Sequence, residues 1–186
     1  RVRIRDFKLR MSEPSSFALE QVKEKLQQAL LMVWQRELEN DRFNALILRA
    51  GLDARQVTML RACAKYLKQI MFSHSQAAIE QALGAHPHIT RLIVDLFEAR
   101  FDPAAKNREE KEAAIRASIE KHLADVSNAG EDRILHRYMD LIGAILRTNY
   151  YQKTETGGTK PVLSFKFDSA NVPELPLPRP FAEIFV

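Results

Sequence analysis

Few residues in this sequence have the types and spacing that chemistry needs. His86-Pro87-His88 sets two imidazoles two positions apart, the beginning of a metal site. A zinc-type ion takes three or four protein ligands, and no third His, Cys or carboxylate stands at ligand spacing. A helix entry with proline in its first turn explains the triplet better. Gly157-Gly158-Thr159-Lys160 has the residue types of a phosphate loop, but the G-x-x-x-x-G-K-[ST] spacing is missing and no strand leads into it. It reads as a flexible linker. No G-x-G-x-x-G occurs, so no dinucleotide-binding turn is recognisable. Cys63, the single cysteine, has Leu67 and Ile70 following it at helical spacing and no His or Asp partner nearby. That suits a small core residue better than a nucleophile. Asp102, Glu109, Glu110 and Glu112 form an acidic cluster at the start of a charged helical stretch, where carboxylates favour the helix dipole. Acid–base catalysis needs two carboxylates in differing environments, and the spacing supplies no such pair. His74 and His122 fall at helix ends or on polar-leaning faces and read as structural. No catalytic, cofactor-binding or metal-binding residue is assigned.

Tyr66–Leu83 also reads as helix, short turn, helix, the arrangement of a major-groove reader. Against that reading, no Lys or Arg occurs from Ser73 through His88, and phosphate contacts need cations.

The elements that must position these residues are almost all helical. Leu19, Val22, Leu26, Ala29 and Val33 mark one stripe of a long helix from about Ser16 to Glu39, and Leu30, Leu31, Trp34 and Leu38 widen it. A stripe that wide predicts burial against more than one neighbour. A short helix follows over Arg42–Ala50, stopped by Gly51. Asp53 with Gln56 makes a capping-box variant for the next, in which Val57, Leu60, Ala64, Leu67 and Met71 recur at 3,4,3,4 spacing. Ser73-His74-Ser75 caps a helix over Gln76–Leu83 that ends at Gly84, and Pro87 opens another that Asp102-Pro103 stops. Further helices are predicted over Asn107–Asp125 and about Asp132–Tyr150. The tail changes period: Leu163, Phe165 and Phe167 face one way, and Val162, Ser164, Lys166 and Asp168 the other. The fold class is therefore mainly α, an array of about seven helices joined by short loops, with a short β segment at the C-terminal end. Arg1–Arg10 alternates basic and apolar residues and leaves room for another strand at the N-terminus.

The totals set limits on function. Residues 1–10 carry five cations against Asp6, which is the whole net charge of +4; the other 23 basic and 23 acidic side chains balance. A nucleic-acid binder usually concentrates its excess on one face of the fold. No apolar run approaches the ~18–20 residues that span a bilayer. One cysteine excludes an internal disulfide and favours a reducing, cytoplasmic setting. A start at Arg1 and a stop within a strand-like run are expected of a piece of something larger.

Ile145–Gln152 (ILRTNYYQ), KPVLSFKFDS and VPELPLPRPFAEIFV, with YLKQIMF, SQAAIEQAL and RLIVDLFEARFDP upstream, resemble the large bacterial NAD-specific glutamate dehydrogenases where their helical region leads into the catalytic domain. The resemblance implies a parent oxidoreductase of amino-acid catabolism that converts L-glutamate to 2-oxoglutarate and ammonia with NAD as cofactor. It implies residues 1–11 as the end of an upstream α/β domain, 12–152 as a helical domain, and 153–186 as a linker and first strands of the catalytic domain. Lys160 and Lys166 do not match the family's catalytic lysine motifs, and Lys166 is expected on the solvent side of a strand. The family's substrate lysines and nucleotide turn lie downstream, so no site residue is carried over and no cofactor is expected in this segment. Its expected partners are its own catalytic and upstream domains and, in the parent, further copies of itself, with neither nucleic acid nor membrane. The competing expectation is an independent helical interaction module, with nucleic-acid binding as one form.

Overall fold

The computed structural model describes residues 18–186; the expected N-terminal strand and the segment 1–11 lie outside the described residues. Among the described residues the order is α1 (Leu19–Trp34), a 3-10 turn (Arg42–Ala45), α2 (Leu46–Arg49), α3 (Ala54–Gln69), α4 (Gln76–Ala85), α5 (Pro87–Phe101), α6 (Arg108–Leu123), α7 (Ala129–Ala144), β1 (Ile145–Thr148), β2 (Phe165–Asp168), a second 3-10 turn (Ser169–Asn171) and β3 (Ala182–Phe185). The expected mainly α array of seven helices with a short β segment at the C-terminal end is what forms.

The helix starts follow the caps in the sequence. Asp53 accepts from the Gln56 amide at 2.8 Å while the Gln56 side chain accepts from the Asp53 amide at 2.9 Å, a reciprocal box that satisfies two free donors at the start of α3. Ser75 caps α4 through the Ala78 amide, and Asn128 caps α7 through the amides of Gly130 and Glu131. Pro87 occupies the first turn of α5, where its missing N–H costs no hydrogen bond.

Helix ends depart from the sequence reading. α1 stops at Trp34, short of the predicted Glu39. Arg36 turns left-handed at φ 62°, and Arg36 and Glu37 donate back to Val33 and Met32. This is a Schellman ending without the usual glycine. Met71 (φ 60°) ends α3 the same way, through Met71 to Lys68 and Phe72 to Leu67. Leu30, Leu31 and Trp34 are exposed, so the predicted wide burial of α1 is corrected in part: the helix packs on α2 and α3 through Val22 and Ala29, and of the widening residues only Leu38, past the helix end, is buried. Gly84 does not end α4. It is buried within the helix, where its carbonyl accepts from Arg49 and an added Cβ would lie 3.1 Å from the Arg49 Nη1.

α3 lies at the centre. Val57, Met59, Leu60, Cys63, Tyr66 and Leu67 have no exposed surface. α4, α5 and α7 pack around one another, α6 lies along α5, and the Tyr138 hydroxyl of α7 donates to the Leu60 carbonyl of α3 at 3.0 Å. The sheet is antiparallel in the order β1-β2-β3. Its inner face carries Phe165 and Phe167, both fully buried, as the alternation in the tail predicts. Each such ring contributes roughly 1.5–3 kcal/mol by leaving water. β1 was not legible: Ile145–Thr148 falls within the predicted last helix. It extends because Ile145 pairs with Phe167, and Arg147 and Thr148 with Lys166 and Phe165. The segment predicted as a flexible linker is a closed turn. Lys153 bridges Thr159, Thr154 donates to the Gly158 carbonyl, and Gly157 takes φ +84°.

Candidate functional site

The residues flagged for chemistry are scattered, and most are occupied locally. His86 meets Glu131 at 2.8 Å, while His88 packs edge-on against His122, whose Nδ1 lies 2.7 Å from the Ser118 carbonyl. His74 packs against Phe72. Among the described residues no group of three His, Cys, Asp or Glu side chains is arranged to hold a metal ion. Cys63 is fully buried, 3.9 Å from the Met59 sulfur, and burial pushes its thiol up to about 12. A thiol held that far from its reactive anion is inert at neutral pH. Glu112 is bound by Arg100 at 2.5 Å and Arg116 at 3.1 Å, and Asp102 accepts from the Ala104 amide. Glu109 and Glu110 are exposed in the first turn of α6. α4 exposes Gln76, Ala77, Gln81 and Ala85. Lys166 stands on the outer side of β2, paired across to Ile184 and Arg147.

What the fold does assemble is a joint between the helices and the tail, and the sequence did not point to it. Tyr66, near the end of α3, stacks on Phe167 of β2 with centroids 4.1 Å apart and planes 16° from parallel. It meets Phe185 of β3 edge-on at 5.7 Å, and its hydroxyl donates to the Glu183 carboxylate. Offset and edge-on rings add ~0.5–1.5 kcal/mol per pair beyond burial. Burial, with the neighbouring carboxylate, holds the Tyr66 phenol well above its ordinary range, so it stays a donor. A second contact is ionic. Arg133 and Arg137 of α7 reach the two carboxylate oxygens of Glu174 at 2.7 and 3.0 Å, and Arg137 also donates to the Pro173 carbonyl. Both guanidinium groups lie over the Phe72 ring. The hydrogen bond from Arg133 and the two cations hold the Glu174 carboxyl below its ordinary value.

A third contact sits at the start of α3. Arg55 donates to the carbonyls of Lys160 and Tyr150 at 3.0 and 3.2 Å and lies over the Tyr150 ring at 5.0 Å. Beside it Gln28, Met32, Arg36, Glu37, Asp53, Thr58 and Thr159–Pro161 line an open cleft of about 660 Å³. Burial lowers the Arg55 guanidinium below its ordinary value. Lys160 is thus a backbone anchor for Arg55 and part of that cleft wall. The signals that could have found the joint are Tyr66, one turn from the end of α3, and the Phe165/Phe167 alternation. Local periodicity does not say that one meets the other.

The arrangement defines a mainly α segment with an antiparallel sheet pinned onto it by aromatic stacking and arginines. Comparison with known proteins gives the family. Residues 38–103 match the family model described as glutamate dehydrogenase, helical motif 3, and residues 118–186 match bacterial NAD-glutamate dehydrogenase, catalytic domain. A protein named NAD-specific glutamate dehydrogenase from Halomonas elongata is 46% identical over 183 residues, 98% of this chain and 11% of that protein. The protein of that name from Pseudomonas aeruginosa is 43% identical over 187 residues (98% of this chain, 12% of that protein). The one from Mycobacterium tuberculosis is 43% identical over 164 residues (86% and 10%). The chain belongs to the bacterial NAD-specific glutamate dehydrogenases, and it spans about a tenth of the length of the curated relatives it matches.

Proposed function

We propose that the longer protein of which this chain is a segment is a cytoplasmic oxidoreductase that converts L-glutamate, NAD and water to 2-oxoglutarate, ammonia and NADH. The observation that carries this reading is the 46% identity, over nearly the whole chain, to a protein named for that activity. Within it, this segment supplies no catalytic, cofactor-binding or metal-binding residue. Its task is to hold the opening strands of the catalytic domain on a helical support, and its partners are that domain, the domains upstream and other copies of the same protein. The division into 1–11, 12–152 and 153–186 belongs to this proposal; the catalytic-domain match begins inside α6 and overlaps the last two units.

What supports the supporting role is the joint itself. Most of the side chains with types suited to acid, base or nucleophile chemistry are bound to neighbours or buried, while the conspicuous packing links α3 and α7 to the sheet. Hydride transfer needs a cofactor held against the substrate. The test is NADH formation, followed by absorbance, with L-glutamate and NAD. The full-length protein is expected to be active and residues 18–186 alone inactive. Activity in the short chain would sink the supporting role; a folded but inactive full-length protein would sink the reaction.

A further inference from the structure

β3 is an edge. β2 pairs with one side of it through four consecutive residues without a bulge, and among the described residues nothing pairs with the other. Alternate N–H and C=O groups of a strand point to opposite sides, so half of those in Ala182–Phe185 face away from β2. Edges left open in solution are usually blunted by Lys, Pro or a bulge within the strand. Ala-Glu-Ile-Phe has none of these, and its one charge, Glu183, is engaged by Tyr66. Beside the open edge Ile184 is 71% exposed, Val186 71% and Phe181 97%. An apolar, unguarded edge marks a surface that is covered in the working protein.

We propose that the outer edge of β3 receives a further strand of the same longer polypeptide, with apolar side chains beside Ile184, extending the sheet to at least four strands. The proposal rests on the chain being a segment of a longer dehydrogenase, because its relative from Halomonas elongata leaves about nine-tenths of its length outside the match. A strand joined to the edge by a short connection reaches it at roughly millimolar effective concentration, which outcompetes a separate protein or a second copy at ordinary cellular concentrations.

The test is hydrogen exchange on the full-length protein, resolved to single amides over Phe181–Val186, for wild type and Ile184→Asp. Every amide of Ala182–Phe185 is expected to exchange at least ~100-fold slower than in an unfolded chain, with the outward-facing amides losing that protection in the variant. Fast exchange at alternate β3 amides in the wild type would overturn the proposal, whatever the variant does. Protection that appears only as protein concentration rises would assign the edge to a second copy and overturn it too. Glutamate-dependent NADH formation in the same sample separates the two claims. An active protein with an open edge sinks only the extra strand; an inactive one with a closed edge sinks only the reaction.

Discussion

Two of the three places where the tail meets the helices differ in what surrounds them. At Tyr66 the contact is dry: the phenol has no exposed surface, and it stacks on a ring, Phe167, that has none either. At Glu174 the contact is wet: the carboxylate side chain is 55% exposed and held by two guanidinium groups, one buried and one half open to water. Dry aromatic packing is not screened by salt and is costly to remove. Exposed ion pairs are screened and often contribute under ~1 kcal/mol. The strength of the link should therefore lie at α3, with the α7 contact setting the position of the turn after β2.

Tyr66→Ala tests this most severely. It removes the stacked ring, the edge-on partner of Phe185 and the hydroxyl at once. Urea unfolding of the chain is expected to show a loss of about 3–5 kcal/mol. A loss under about 1 kcal/mol would mean that the dry contact does not carry the link. Phe167→Ala should fall in the same range of about 3–5 kcal/mol. Tyr66→Phe keeps the ring and leaves the Glu183 carboxylate without its donor, so a smaller loss of about 1–3 kcal/mol is expected. Equal losses for Tyr66→Phe and Tyr66→Ala would assign the contact to the hydrogen bond rather than the stack.

Glu174→Gln should cost least, with an effect that shrinks as salt is raised. Its pH signature has a definite sign. The folded-state value is held below the ordinary 4.5, so its contribution is present above that value and lost as pH falls through the lower folded-state value. The variant should flatten the acid limb of a stability–pH curve, and an unchanged limb would remove the ionic contact from the account. Cys63 contributes to the alkaline side of the dry region, alongside the raised phenols of Tyr66 and Tyr138. Burial raises its thiol from 9.0 to about 12, so its contribution is present below pH 9 and declines between pH 9 and about 12. Native protein at pH 8 should resist iodoacetamide until it unfolds, and fast alkylation without unfolding would contradict the burial of that region.

How much was legible depends on how local each signal is. The Asp53–Gln56 box, the Ser75 cap, Pro87 and the Val57, Leu60, Ala64 and Leu67 stripe of α3 all act within a turn or two, and each stands where the sequence puts it; Met71, expected to continue that stripe, is exposed past the helix end. The inward Leu163, Phe165 and Phe167 were legible for the same reason. What failed needed information from far along the chain. Ile145 continues the stripe of Ile134, Tyr138 and Leu141, yet it extends because Phe167 offers it a partner. Arg36 and Met71 end helices in a conformation that glycine usually marks, so the stops left no residue to see. The arginines at 55, 133 and 137 look like solvated charges in the sequence, and only the return of the tail gives them carbonyls and a carboxylate to bind.

α7 passes into β1 without an intervening residue: the helix ends at Ala144 and the strand begins at Ile145. Arg100 straddles that point, donating to the carbonyls of Gly143 and Ile145 at 3.2 and 3.3 Å. A loop between two elements absorbs rotation through its own soft torsions; here only the irregularity between Ile145 and Arg147 is left to do so. A turn of α7 about its axis is therefore expected to reach the sheet, damped at that point, as a tilt of β1. Two glycines inserted between Ala144 and Ile145 would disconnect the two, leaving the sheet pinned at Tyr66 but no longer turning with the helix.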